Sequence, residues 1–485
     1  MVFSSHLFLF GFLPLALAAY FLAPRRARNL VVTITSCVFY GWWNPIYLLL
    51  LLTTTVIDYW AGLVQTTERW WPFGFEPRPL EPAGPRSRKQ RAALLLSIAS
   101  NLGLLAFFKY WNFGISSWNA MVDAAGLGGV RIDSVLRVVL PLGISFYTFE
   151  AMSYSIDVYR GRARATRSFI DFACFVWMWP QLVAGPIVRF TEIADQIVDR
   201  RDTLARFARG VAFFAVGLSK KVLLANPCGK IADTVFDAAS STTLDAWFGL
   251  GAYAFQIYFD FSGYSDMAIG LGLMLGFVFP KNFDAPYRSR SITEFWRRWH
   301  LSLSTWLRDY LYVPLGGNRK GPLRTYVNLA IVMLLGGLWH GASWNFVLWG
   351  AMHGALLAIE RAAGPERLWG WLPAPARVAA TFGLVLLTWV PFRAVDFAAT
   401  GEFYARLFGF GETGVAATLL PALITSPYLV GSFALAALIV WGCPQTWTWT
   451  REIGPLKAAA CLSLLVLAVV SLATQDFNPF IYFLF

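Results

Sequence analysis

Four histidines occur in this chain, and two of them stand where proton chemistry would be useful. His340 closes the apolar run Ile331-Val-Met-Leu-Leu-Gly-Gly-Leu-Trp-His340 and is followed by Gly-Ala-Ser-Trp-Asn345. Helix from Arg324 to this point would carry the chain about 24 Å, deep into a hydrocarbon layer roughly 30 Å thick. An ionisable side chain at that depth is costly and by default marks a functional site. A neutral imidazole there can take the proton of a hydroxyl nucleophile. The structural alternative is a ring that merely bonds a carbonyl across a helix interface. Gly336, Gly337 and Gly341 leave room for close approach, and Trp339, Ser343, Trp344 and Asn345 are placed to line a pocket.

His300 ends the stretch Glu294-Phe-Trp-Arg-Arg-Trp-His300. Taken alone it reads as an interfacial residue whose polar tip reaches water. His353 reads as structural and His6 as incidental. Several acids lie in apolar context: Asp260 and Asp266, six residues apart, and Glu150 and Asp157. Buried acids must be paired or protonated, and Arg297, Arg298 and Arg308 are the candidate partners. Together with Trp339, Ser343, Asn345, Trp296 and Trp299, these acids at 260 and 266 and these arginines form the candidate substrate-binding set. No metal is expected, since the carboxylates are too loosely spaced for a hard cation and HExxH is absent. The cysteines (Cys37, Cys174, Cys228, Cys443, Cys461) form no CxxC pair, so neither a disulfide framework nor a zinc site is indicated. Walker A and GxSxG sequences are also absent. Gly270-Leu-Gly-Leu-Met-Leu-Gly276 reads as helix packing, with Gly272 and Gly276 as a small-xxx-small pair.

The elements that must position these residues are membrane helices. Hydrophobic residues make up 57% of the 485 and charged ones 14%, against about 45–50% and 25% in soluble domains. A mean hydropathy of +0.53 agrees. The 22 tryptophans and 18 tyrosines suit two membrane–water interfaces. The net charge of +12 reflects arginines clustered in short loops, the positive-inside pattern, and no nucleic-acid module accompanies it.

The apolar stretch at 7–22 has no basic residues before it and Arg25, Arg26 and Arg28 after it, so it reads as a first helix with its N-terminus outside rather than a signal peptide. Further passes are expected at 30–40, 46–64, 92–108, 135–156, 211–225 and 247–279. A broken segment at 169–188 is interrupted by Pro180, Gly185 and Pro186, and is tolerable only where protein covers it. Later passes fall at 326–339, 346–359, 378–390, 428–441 and 458–472. A basic, Pro-rich cytoplasmic loop at 68–91 should lack regular structure. Residues 281–324 carry nine Lys or Arg and three acids among aromatic residues, a basic interfacial segment. The expected organisation is one integral membrane domain over residues 1–485, with the catalytic helix region at 326–360.

Taken together, these residues resemble the membrane-bound O-acyltransferase (MBOAT) family, specifically its bacterial AlgI-type branch. The resemblance rests on Met1-Val-Phe-Ser-Ser5, Phe39-Tyr-Gly-Trp-Trp43, Pro141-Leu-Gly-Ile-Ser-Phe-Tyr-Thr-Phe149 and Pro180-Gln-Leu-Val-Ala-Gly-Pro-Ile187. It continues in Phe259-Asp-Phe-Ser-Gly-Tyr-Ser-Asp-Met-Ala268, in 291–310 and in Gly336-Gly-Leu-Trp-His-Gly-Ala342. Beyond Arg361 little matches until the aromatic tail at 480–485. The resemblance implies an all-α polytopic protein: a ring of roughly eleven transmembrane helices, with re-entrant and interfacial helices, around a thin floor and a central tunnel. It implies that His340 is the catalytic histidine and His300 the second polar position of the site. It further implies a thioester donor (acetyl-CoA or an acyl-carrier thioester), no bound cofactor, and a polysaccharide acceptor outside the cytoplasmic (inner) membrane, alginate foremost. A periplasmic SGNH-type acetyltransferase partner is implied as well. Peptidoglycan acetylation and carrier-dependent D-alanyl transfer are the enzymatic alternatives. A transporter and a structural subunit of an export complex are the non-enzymatic ones.

Overall fold

The computed structural model describes residues 1–133, 136–411, 414–475 and 477–479. Val135, where one pass was expected to begin, and the aromatic tail at 480–485 lie outside them. The described residues form helices and loops, without a β-strand among them. They divide into two compact units, Met1–Phe207 with Leu271–Pro280, and Ala208–Gly270 with Lys281–Phe485.

Among the described residues, five helices are long and apolar enough to cross a membrane: Tyr47–Thr67, Arg88–Ala124, Gly321–His340, Ala374–Arg393 and Pro455–Thr474. A sixth span arises if Ala417–Ile424 and Pro427–Gly442, bent by 72° at their junction, count as one. That is fewer than the roughly eleven passes expected, because several of the expected segments are short or carry polar residues. Leu7–Leu22 is apolar but short, and the 32-residue helix Thr243–Met274 carries Asp260 and Asp266.

In the first unit the loop expected at 68–91 is irregular only to residue 87, as its prolines and glycines require, and 88–91 already belong to the next helix, Arg88–Leu105. The loop ends at Ser87, which caps that helix in a reciprocal box with Gln90. The interruption expected near Pro180 is present. The helix Phe169–Trp177 stops there, and residues 178–188 run on as buried non-helical chain. Such backbone needs partners, and Glu150 supplies one by accepting the Val188 N–H at 3.2 Å. The glycine run differs from the packing expected of it. Gly276 is not part of a helix-packing pair but stops the helix: its φ of +80° suits glycine. The Phe277 N–H donates to Gly272 O and the Gly276 N–H to Leu273 O, a Schellman cap. Gly270 does pack, since a Cβ there would stand 2.6 Å from the Gly210 carbonyl oxygen.

The second unit has an aromatic core that includes Tyr258, Tyr287, Phe295, Trp299, Trp349 and Trp389. The basic segment folds into short pieces within it: Pro286–Arg288, Ile292–Trp296, Leu301–Leu307 and Arg308–Tyr312. Its aromatic side chains Tyr287, Phe295 and Trp299 are buried, while Arg290, Arg297, Arg319, Lys320 and Arg324 are exposed. The aromatic side chains thus join the core of this unit and leave the basic ones on its surface.

Candidate active site

His340 is the last residue of the Gly321–His340 helix, and the next helix, Trp344–Ala363, begins after three intervening residues. So short a connection forces the two helices together, and glycine makes the contact possible. A Cβ on Gly337 would collide with the Phe346 carbonyl, and one on Gly350 with the Met333 carbonyl. The His340 ring is thereby enclosed, 6% exposed, with Trp339, Trp349 and Phe392 at centroid distances of 5.1, 5.2 and 5.4 Å.

His300 arrives from the basic segment. It stands between the short helices Ile292–Trp296 and Leu301–Leu307 with a left-handed φ of +44°. A non-glycine residue held there marks a backbone constrained by its surroundings. The ring is fully buried, 6.3 Å from that of His340 and 5.8 Å from that of Trp339. Its Nδ1 lies 3.1 Å from Asn282 Oδ1, and Asn282 Nδ2 donates to Ser265 Oγ at 2.9 Å. Burial, reinforced by the neighbouring His340 ring, pushes the His300 pKa well below the ordinary histidine value. His300 is therefore a neutral imidazole at physiological pH, able to exchange hydrogen bonds without carrying charge.

The other sequence-derived residues fall into two groups. Trp339, Trp296 and Trp299 belong to the aromatic wall. Trp296 packs on Trp349 at 5.7 Å and donates its Nε1–H to His353 Nδ1 at 3.2 Å, which gives His353 a packing role. Trp299 packs on Phe283 and Trp389, both at 5.1 Å. Ser343 is half-buried in the turn beside His340. Asn345 ties that turn to the following helix pair, donating to the Ala394 carbonyl at 2.7 Å.

The charged residues are arranged differently from expectation. Asp260 pairs with Lys221 at 2.7 Å and Asp266 with Lys220 at 2.7 Å, not with arginines of the basic segment. The arginines have nearer partners: Arg298 holds Glu294 at 2.6 Å and Arg308 holds Asp309 at 2.7 Å, while Arg297 is exposed. The reason is local geometry, since one helical turn brings Glu294 to Arg298. No group of three or more metal-ligating side chains occurs among the described residues.

Sequence reasoning missed Asn282, Ser265, Trp349 and Phe392. No periodicity signals them, because their role depends on long-range packing. The lysine partners did leave a signal. Lys220 and Lys221 interrupt an apolar run, and two such cations call for two acids, which Asp260 and Asp266 supply.

Apolar helices long enough to cross a membrane place the chain among multi-pass membrane proteins, and a buried pair of imidazoles is its candidate site. Sequence comparison states the chemistry. The profile of the MBOAT, membrane-bound O-acyltransferase family, matches residues 159–390. Over the full length of both chains, the protein is 45% identical to a probable alginate O-acetylase AlgI of Pseudomonas putida and 44% to one of Azotobacter vinelandii. It is 36% identical to a peptidoglycan O-acetyltransferase of Helicobacter pylori, over 81% of this chain and 77% of the relative. The chain belongs to the membrane-bound O-acyltransferase family and is an O-acyltransferase.

Proposed function

We propose that the protein moves an acetyl group from a cytoplasmic thioester donor to the far side of the bacterial inner membrane, for O-acetylation of alginate. The full-length identity to probable alginate O-acetylases carries the choice of glycan, and the buried His340–His300 pair supports the chemistry. Peptidoglycan is the second acceptor, favoured by the 36% relative. This reading includes a single membrane domain over 1–485 with roughly eleven passes, an N-terminus in the periplasm and a separate periplasmic SGNH-type partner.

In the mechanism, His340 takes the proton of the acceptor hydroxyl while its oxygen attacks the thioester carbonyl. The C–O bond forms, the C–S bond breaks, and the thiol leaves with a proton returned from His340. A transient acyl-histidine is the two-step variant. The tetrahedral oxyanion needs a donor in a dry site. The Trp349 Nε1–H is suited to this, being buried without a hydrogen-bond partner among the described residues and in ring contact with His340. The exposed cations of 281–324, with Arg290, Arg297 and Arg324 among them, suit the phosphates of coenzyme A or an acidic carrier. Acetyl-CoA is the expected donor, and no resident cofactor takes part.

The test is transfer of labelled acetyl from acetyl-CoA by the purified protein, alone and with a periplasmic partner. Transfer that requires a carrier protein instead of coenzyme A would change the donor. Label that appears in peptidoglycan and not in alginate would change the acceptor.

A further inference from the structure

We infer that Asn282 fixes His300 in the tautomer protonated on Nδ1, so that Nε2 accepts a hydrogen bond from the hydroxyl being acylated. The inference rests on the acyl-transfer reading for the identity of that hydroxyl, but not for the tautomer.

The contacts of Ser302 orient the Asn282 side chain. Its Oδ1 lies 3.3 Å from the Ser302 backbone N–H, an obligatory donor, and accepts the Ser302 hydroxyl at 2.8 Å. The atom facing Ser302 is therefore the oxygen, which leaves Nδ2 to donate to Ser265 Oγ at 2.9 Å. The same oxygen stands 3.1 Å from His300 Nδ1. Two lone pairs at that distance would repel, so Nδ1 carries the proton; the Ser302 hydroxyl, 3.4 Å from Nδ1, is committed to Asn282 Oδ1 at the shorter 2.8 Å. The backbone reinforces the arrangement, since the Leu301 N–H donates to the Asn282 carbonyl at 2.9 Å and so locks the two segments in register.

With Nδ1 protonated, the neutral ring presents a lone pair at Nε2. That atom is buried and has no hydrogen-bond partner among the described residues. A buried acceptor left open calls for an explanation, and an incoming donor provides one. The ring packs against Trp339 and His340 in the same enclosure, where the acceptor hydroxyl must arrive. His300 thus has a definite role. With its one proton on Nδ1, the ring cannot donate from Nε2 to an oxyanion, so it binds and orients the hydroxyl whose proton His340 removes. Asn282 is a positioning residue for His300, and Ser265 for Asn282, in the way a third group orients the base of a catalytic triad.

Because the chain has only four histidines, 15N-histidine labelling of the full-length protein resolves the question directly. Spectra of the wild type and of His300→Gln identify the His300 signals. We expect a protonated Nδ1 and an unprotonated Nε2 at neutral pH, and loss of that preference in Asn282→Leu. In the labelled-acetyl assay, Asn282→Leu should lower kcat about tenfold or more, short of the ~10⁴-fold cost of a wrong tautomer in a serine protease. The donor KM should stay within about twofold, and Asn282→Asp, which keeps the accepting oxygen, should recover most of the loss. A wild-type His300 protonated on Nε2 overturns the inference whatever the variants do. So does equal activity loss in Asn282→Asp and Asn282→Leu with wild-type tautomer in both. His340→Ala runs beside them: retained transfer there would overturn the catalytic reading while leaving the tautomer result standing.

Discussion

The imidazole rings of His300 and His340 lie 6.3 Å apart, on elements that approach the site from different parts of the chain. That spacing is too long for a direct hydrogen bond between them and suits a small group held between them. His340 ends a long apolar helix; His300 precedes a short one at a left-handed turn. Under the proposed function, the pair would divide the work of an acyl transfer between a base and a neutral orienting group.

Removing the base should therefore be far more damaging than removing its neighbour. His340→Ala is expected to reduce acetyl transfer by about 10²–10⁴-fold, the usual range for a lost general base. His300→Ala should fall less steeply, with its loss in kcat. Labelled-acetyl assays on equal amounts of folded protein decide this, and full activity in His340→Ala would defeat the assignment.

The Lys221–Asp260 pair should matter for stability. Both side chains are almost fully buried, and Lys221 also donates to the Pro479 carbonyl. Breaking a buried pair by removing one member costs about 3–5 kcal/mol, because the other charge is stranded. Asp260→Ala is expected to lower the unfolding temperature in detergent sharply, whereas Asp260→Leu with Lys221→Met should cost much less. Equal losses in the single and double variants would show that the pair itself is not what counts.

Glycine substitutions should separate helix packing from helix propensity. Gly337→Ala pushes a methyl into the Phe346 carbonyl and must part the two helices that hold His340. Overpacking of this kind costs about 1–3 kcal/mol and should also depress activity. Gly383 has no neighbouring atom within 4 Å of a built Cβ, so Gly383→Ala should be neutral or slightly stabilising. Thermal unfolding and transfer assays of the two variants side by side provide the comparison.

Acid should destabilise the folded state partly through His300. Its pKa is depressed when folded and returns to about 6.5 in the unfolded chain, which then binds the extra proton. The stability contributed by the neutral ring is therefore complete above about pH 6.5 and declines as pH falls below it. His300→Gln should flatten this decline. Unfolding temperatures of both proteins from about pH 8 to about pH 5 provide the measure, and parallel slopes would exclude His300 as the source.

Composition and pattern alone determined the class of protein, singled out His340 as the histidine to examine, and marked the broken element near Pro180. These are local properties: apolar runs, basic loops, and a histidine or proline set among residues that do not favour it. Pattern also exposed the family resemblance on which the function rests. The number of qualifying spans fell short of the reading because helix length and polar content vary along the chain. Tertiary structure alone decided that His300 stands beside His340, which acid each of Lys220 and Lys221 takes, and that Asn282 and Ser265 stand behind His300. Nothing in the sequence near Asn282 marks it, since a hydrogen bond depends on sub-ångström placement that only packing supplies. The arginines of the basic segment were drawn to nearer acids for the same reason. Charge pairing follows distance in the folded chain, and distance is what a linear pattern does not contain.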